Sequence, residues 1–253
     1  MNKGESLKSI GMHNAARLVI LSCFLLALMS FSACAQSNSC CSATAEAVVK
    51  PKKVSILGDS YSTFEGYIPE GNLAWYKPVP KEGRPTDVTN VDQTWWKIFI
   101  DEHGYVLDTN NSYSGATVCN TGYGGKDYTD QSFVTRLTNL GDPDIIFVFG
   151  GTNDSWADSP IGEYVWDNWS TTDLYSYRPA TAYMVNQLQT LHPDAEIVMI
   201  VNDDIKDEVK ESTAEICNHY NIRCVQLDGI SKMSQHPDAK GMRQIAEALE
   251  LSH

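Results

Sequence analysis

The stretch DIIFVFGGTND, residues 144–154, sets an uninterrupted apolar run against a polar turn rich in small residues. A strand with one wet face alternates apolar and polar side chains, whereas this run is apolar on both faces. It therefore reads as a strand covered on both sides, which is the condition of a parallel sheet between layers of helices.

The flanking sequence repeats that pattern in both directions. VSIL (54–57) is a first buried strand, VDQTWWKIFIDEHG contains a helix, and YVLDTNNS leads a second strand. After the 144–150 strand, TDLYSYRPATAYMVNQLQTLH contains a helix and EIVMIVN (196–202) is a fourth strand. DEVKESTAEICNHY is a helix, RCVQL (223–227) a fifth strand, and AKGMRQIAEALEL the closing helix. The predicted class is α/β, a three-layer α/β/α sandwich around a five-stranded parallel sheet. Two long irregular segments, 61–93 and 155–172, interrupt this order, and loops of that length are often functional.

The chain has 253 residues and a formal charge of −13, which makes nucleic acid and anionic membrane surfaces poor partners. Lys3, Lys8 and Arg17 precede or open the run LVILSCFLLALMSFSA, too short for a comfortable membrane span, so residues 1–39 read as an export signal and tether. Phe31-Ser32-Ala33-Cys34 is similar to a bacterial lipobox, which makes Cys34 the expected lipidation site; cleavage before Gln36 is the alternative. Residues 40–50 are a linker, and 51–253 form one domain. The expected protein is exported, periplasmic or at the cell surface, and meets the membrane only through a lipid anchor.

Of seven cysteines, only Cys119, Cys217 and Cys224 fall in the folded part. No CxxC pair or Cys/His cluster suggests a metal, and no cofactor is expected. Cys217 and Cys224 flank a short helix-to-strand turn, leaving a disulfide and two separate thiols equally open.

In an open parallel sheet, ligands bind beyond the carboxyl ends of the strands. Gly58-Asp59-Ser60 follows strand one, Ser112-Tyr113-Ser114-Gly115 strand two, Gly151-Thr152-Asn153-Asp154 strand three, and a loop to His236 strand five. A serine, a glycine amide, a carboxamide and an imidazole are the parts of an acyl-transfer site. The same positional filter removes the other histidines. His13 lies in the leader, His253 ends the chain, and His103, His192 and His219 end helices at the opposite edge. His192 shares the tetrapeptide HPDA with His236, yet runs directly into EIVMIV.

GDS at 58–60, the glycine of SYSGAT, GTND at 151–154 and HP at 236–237 together resemble the four blocks of the SGNH (GDSL-like) hydrolase superfamily, over about residues 54–250. The resemblance implies a flavodoxin-like fold and a serine esterase. Ser60 would be the nucleophile, His236 the base, and the amides of Ser60 and Gly115 with the Asn153 carboxamide the oxyanion hole. Asp154 reads as a brace for the turn rather than a catalyst.

One position departs from the pattern. Superfamily members commonly carry an aspartate three residues before the histidine, and here Met233 stands there. Asp228, Asp238 or a main-chain carbonyl within 232–234 are the available acceptors for the imidazole N–H. Trp75, Tyr76, Trp156, Trp166 and Trp169 lie in post-strand loops and are candidate stacking platforms for sugar, while Trp95 and Trp96 sit in a helical pattern as core. The expected substrate is a small ester or acetylated glycan, which makes the protein an exported carbohydrate esterase. A lipid or thioester hydrolase of the same fold, or an inactive glycan-binding module, remain the alternatives.

Overall fold

The computed structural model describes residues 50–250. The expected leader with Cys34, and the linker up to residue 49, lie outside the described residues.

Five parallel strands form the central sheet: β1 (Lys53–Gly58), β2 (Val106–Asn110), β3 (Ile145–Phe149), β4 (Glu196–Val201) and β5 (Arg223–Gln226). Their order is β2-β1-β3-β4-β5. The apolar run Ile145–Phe149 is the central strand, pairing Val54↔Ile145 through Gly58↔Phe149 on one side and Ile145↔Glu196 through Phe149↔Ile200 on the other.

Side chains alternate across a strand with period two, so a continuous apolar run supplies two cores. Ile145, Phe147 and Phe149 face a layer made by α1 (Trp95–His103) and α6 (Ala239–Glu250), together with Trp95, Trp96, Met242 and Ile245. Ile146 and Val148 face the other layer, of α4 (Tyr177–Leu191) and α5 (Asp207–Tyr220) with Phe133, Val185 and Ile216. At about 1.5–3 kcal/mol for each large apolar side chain fully buried, β3 alone contributes strongly to both. In α6 the buried residues Met242, Ile245, Ala246 and Leu249 fall at helical spacing, so that helix presents one stripe to the sheet.

Two short helices escape the periodicity reading, α2 (Phe133–Arg136) and α3 (Thr152–Trp156). So does a two-stranded antiparallel hairpin, β6 (Lys232–Met233) with β7 (His236–Pro237). Cys119, Cys217 and Cys224 are free thiols, so the bond left open between Cys217 and Cys224 is not formed here.

The strand order reverses direction at β1. From β1 the chain goes outward to β2, then returns to the far side of β1 as β3. Loops leaving the carboxyl ends of β1 and β3 diverge from that point, and the crevice between them is where a fold of this order accepts a ligand.

Candidate active site

Ser60 emerges directly from β1. Asp59 follows the last residue of β1, and its Oδ1 accepts from the Tyr61 amide at 3.0 Å, capping a single 3-10 turn, Ser60–Ser62, that turns the chain sharply. Gly58 is required by crowding: a Cβ there would come within 2.6 Å of Ser112 Oγ and the Ser62 side chain. Arg136, buried beneath, donates to the carbonyls of Gly58 and Asn111 and ties the ends of β1 and β2. Burial pushes the Asp59 carboxyl up to about 7, partly offset by the Tyr61 amide.

His236 meets Ser60 across the crevice, with Nε2 to Ser60 Oγ at 2.9 Å. Its other ring nitrogen, Nδ1, lies 3.0 Å from the Ser234 carbonyl oxygen. A carbonyl can only accept, so Nδ1 carries the hydrogen and Nε2 is left with a lone pair for the serine hydroxyl. The acceptor question raised by Met233 is thus answered by the main chain.

The hairpin explains how. Met233 and His236 pair across it, and the two residues between them, Ser234 and Gln235, have φ of 53° and 64°. Two consecutive left-handed residues make the tight turn that matches strand twist, and they fold the Ser234 carbonyl back toward the imidazole. Neither residue is glycine, so this conformation is held from outside. Tyr61 Oη donates to the Gln235 carbonyl at 2.5 Å and Tyr76 Oη to the Pro237 carbonyl at 2.8 Å. Asn202 Nδ2 lies 3.4 Å from Tyr61 Oη, and Lys232 on β6 reaches Asn202 Oδ1 at 3.1 Å and the Asp203 carboxylate.

The two aspartates considered as orienters serve elsewhere. Asp228 is exposed and lines a surface hollow with Gln226, Gln244 and Glu247, away from the imidazole. Asp238 accepts from the Gly241 amide at 2.8 Å and the Ser231 hydroxyl at 2.7 Å, at the start of α6. Without a carboxylate neighbour, burial pushes His236 down to about 4; the Ser234 hydrogen bond opposes the shift and the Arg84 and Lys232 charges add to it. The ring is neutral at pH 7, as a proton acceptor must be.

Three hydrogen-bond donors belong to residues lining the same cleft: the Ser60 and Gly115 amides and the Asn153 carboxamide. Gly115 has φ of 89°, a conformation that favours glycine, and a Cβ there would meet nothing within 4 Å. The requirement at this position is thus backbone conformation rather than crowding. Neither the Ser60 nor the Gly115 amide takes part in the backbone hydrogen bonds of its turn. Asn153, at the start of α3, donates through Nδ2 to the Ala116 carbonyl at 3.0 Å, and its Oδ1 accepts from Tyr123 Oη at 2.8 Å. Tyr123 thereby fixes which end of the carboxamide faces the crevice, leaving the second Nδ2 hydrogen available. Asp154 accepts from the Val118 and Cys119 amides at 2.8 and 3.1 Å and anchors α3 to the segment that carries Gly115.

Ser60, His236, Gly115 and Asn153 line one open cleft of about 270 Å³ together with Leu73, Trp75, Arg84, Ser114, Tyr123 and Trp156. Trp75 stacks on the His236 ring, centroids 3.4 Å apart and planes within 5°. Of the five aromatic residues expected on the substrate side, the structure brings Trp75 and Trp156 to the cleft and corrects the other three. Tyr76 is fully buried beneath the histidine hairpin. Trp166 stacks between Tyr164 and His219, at the far end of α5, and Trp169 packs edge-on against Tyr183 of α4. The segment after α3 runs back along the outside of the α4–α5 layer, so its tryptophans cover helices instead of the crevice. Arg84, Leu73 and Tyr123 were not anticipated. Each lies in irregular chain whose sequence carries no periodic signal.

Fold and site define a class: a parallel α/β sandwich with a serine–histidine pair and convergent amide donors at its switch point. The chain belongs to the GDSL-like lipase/acylhydrolase family, whose sequence profile matches residues 52–252. It is similar to a solved Bacteroides ovatus protein assigned as a GDSL-like lipase, at 53% identity and TM-score 0.78, covering 80% of this chain and 97% of that one. A second, from Bacteroides uniformis and assigned in the same way, gives 55% identity and TM-score 0.77 over 79% and 93%. An acetyl xylan esterase from the rumen bacterium Butyrivibrio proteoclasticus shares the fold at 15% identity, TM-score 0.51, over 78% of this chain and 62% of that one. Curated proteins give no match.

Proposed function

We propose that the protein is an exported serine esterase that removes O-acetyl groups from carbohydrate. The observation that carries this reading is the hydrogen-bonded chain Ser60 Oγ, His236 Nε2, His236 Nδ1, Ser234 O, with steps of 2.9 and 3.0 Å. In the reaction, Ser60 Oγ attacks the ester carbonyl carbon as His236 Nε2 takes its proton. The oxyanion that forms turns toward the Ser60 and Gly115 amides and Asn153 Nδ2, which are in place before the charge develops. His236 then protonates the departing sugar oxygen. Water, deprotonated by the same nitrogen, attacks the acyl-enzyme; collapse of this second tetrahedral intermediate expels Ser60 Oγ, which takes the proton back, and releases acetate. The Ser234 carbonyl sets the imidazole tautomer and steadies the imidazolium, though less strongly than a carboxylate would.

A cleft of about 270 Å³ supports a short acyl group; pockets for larger ligands run to roughly 300–1,000 Å³. Trp156 adds an aromatic wall to the cleft, a surface suited to a sugar. The distant resemblance to an acetyl xylan esterase agrees in kind. The basic, apolar leader supports export, and a lipid at Cys34 would hold the domain at the membrane.

The test is acyl-chain dependence. On p-nitrophenyl esters, kcat/KM is expected to fall steeply beyond acetyl or propionyl, and acetylated xylan or pectin should release acetate. Activity that rises with chain length would point to lipid hydrolysis instead, and failure of a fluorophosphonate probe to label Ser60 would remove the esterase reading.

A further inference from the structure

The cleft that holds Ser60 and His236 carries a single ordinarily charged side chain, Arg84. That is unexpected in a chain with 32 acidic and 19 basic residues. The setting of Arg84 also differs from that of the other arginines of the described residues. Arg136 donates to buried carbonyls, Arg178 faces Glu208, Arg223 faces Glu196, and Arg243 faces Glu102. Among the described residues Arg84 has no carboxylate partner and its guanidinium makes no hydrogen bond. The guanidinium lies over the Trp75 ring, 4.8 Å from guanidinium carbon to centroid. The same indole stacks on His236, so a planar cation is held within one aromatic ring of the proposed base. The contact biases this exposed guanidinium toward the cleft while leaving its fork of N–H donors unspent.

We infer that Arg84 is a specificity residue that takes a carboxylate of the substrate, so the ester preferred here lies beside a carboxylate. Two sources share that chemistry: a uronic acid unit of the glycan, or a free carboxyl on the acyl group itself. An acidic lining would suit a cationic ligand, and no aspartate or glutamate lines the cleft. The inference rests on the esterase reading for the identity of the ester, but the anion binding can be measured without any turnover.

Ser60→Ala, which removes the nucleophile and keeps the cleft, is titrated calorimetrically with three ligands: an acetylated glucuronic-acid-bearing xylo-oligosaccharide, its neutral acetylated counterpart, and a neutral sugar hemisuccinate. Tighter binding of the first by about 3- to 10-fold, the scale of a bidentate but solvent-open pair, is expected. The preference should shrink with added salt. It should disappear in Ser60→Ala/Arg84→Gln and be partly kept in Ser60→Ala/Arg84→Lys, with circular dichroism confirming that each variant is folded. Preference for the hemisuccinate alone would place the carboxylate on the acyl group. Equal affinity for all three, no binding of either anionic ligand, or a preference that survives Arg84→Gln overturns the inference. Wild-type hydrolysis of p-nitrophenyl acetate, run in parallel, reports separately on the esterase reading.

Discussion

Met233 occupies the position where a carboxylate would ordinarily hold the histidine, and one backbone oxygen, Ser234 O, 3.0 Å from Nδ1, takes its place. The substitution has an electrostatic consequence. A carboxylate would raise the imidazole's proton affinity, whereas a carbonyl dipole does so weakly, and burial with two nearby cations pushes His236 down to about 4. The proton-accepting form is the neutral one, so the proposed esterase activity is expected above this pKa and should be lost as pH falls through it. The acid limb of kcat/KM on a small acetyl ester is therefore expected near pH 4, well below the 6.5 or so of a free histidine. A limb at pH 6 to 7 would show that the ring is not held in the environment described. Residue types were legible in the sequence to this depth because each lies on chain that follows a strand of the sheet: Ser60, Gly115, Asn153 and His236 all arrive from the same edge. The choice of acceptor was not legible, since a carbonyl has no side chain to read.

At the scale of elements, the strands could be read because both their faces are buried, which leaves β3 and β4 as unbroken apolar runs. The β6–β7 hairpin could not, because two-residue strands around a polar turn carry no periodicity, although that turn aims the Ser234 carbonyl. Loops misled in another way. Following a strand places the start of a segment at the ligand edge but says nothing of where the segment goes, and Trp166 runs on to His219, 3.8 Å between ring centroids. Trp166→Ala is accordingly expected to lower the melting temperature while leaving KM for an acetylated glycan within about twofold. Loss of a partly buried aromatic at a helix end costs roughly 1–3 kcal/mol, toward the lower end of what large-to-small changes remove. A KM change without a stability change would return Trp166 to the substrate.

For the whole molecule, the order β2-β1-β3-β4-β5 matters most. A class of parallel sheet follows from the sequence pattern, but strand order does not, because each crossover connection is long enough to reach either neighbour. The order places β1 and β3 side by side with their following loops diverging, and so brings Ser60 and Asn153 into one crevice that His236 closes from beyond β5. Strand direction, which the sequence pattern already gives, puts His192, in the same HPDA sequence as His236, at the opposite edge, where it ends α4 beside Glu196 and Asn221. Identical local sequence thus meets two different environments, and only topology separates them. Comparing kcat/KM on p-nitrophenyl acetate for His236→Ala, His192→Ala and Asp228→Asn tests the account where it is most exposed. The prediction is a loss of about 10⁴-fold or more for His236→Ala, with His192→Ala and Asp228→Asn within about twofold of the wild type, as expected for surface changes away from the site. A His236→Ala variant that keeps wild-type turnover, or an Asp228→Asn variant that loses it, would contradict the Ser60–His236–Ser234 arrangement.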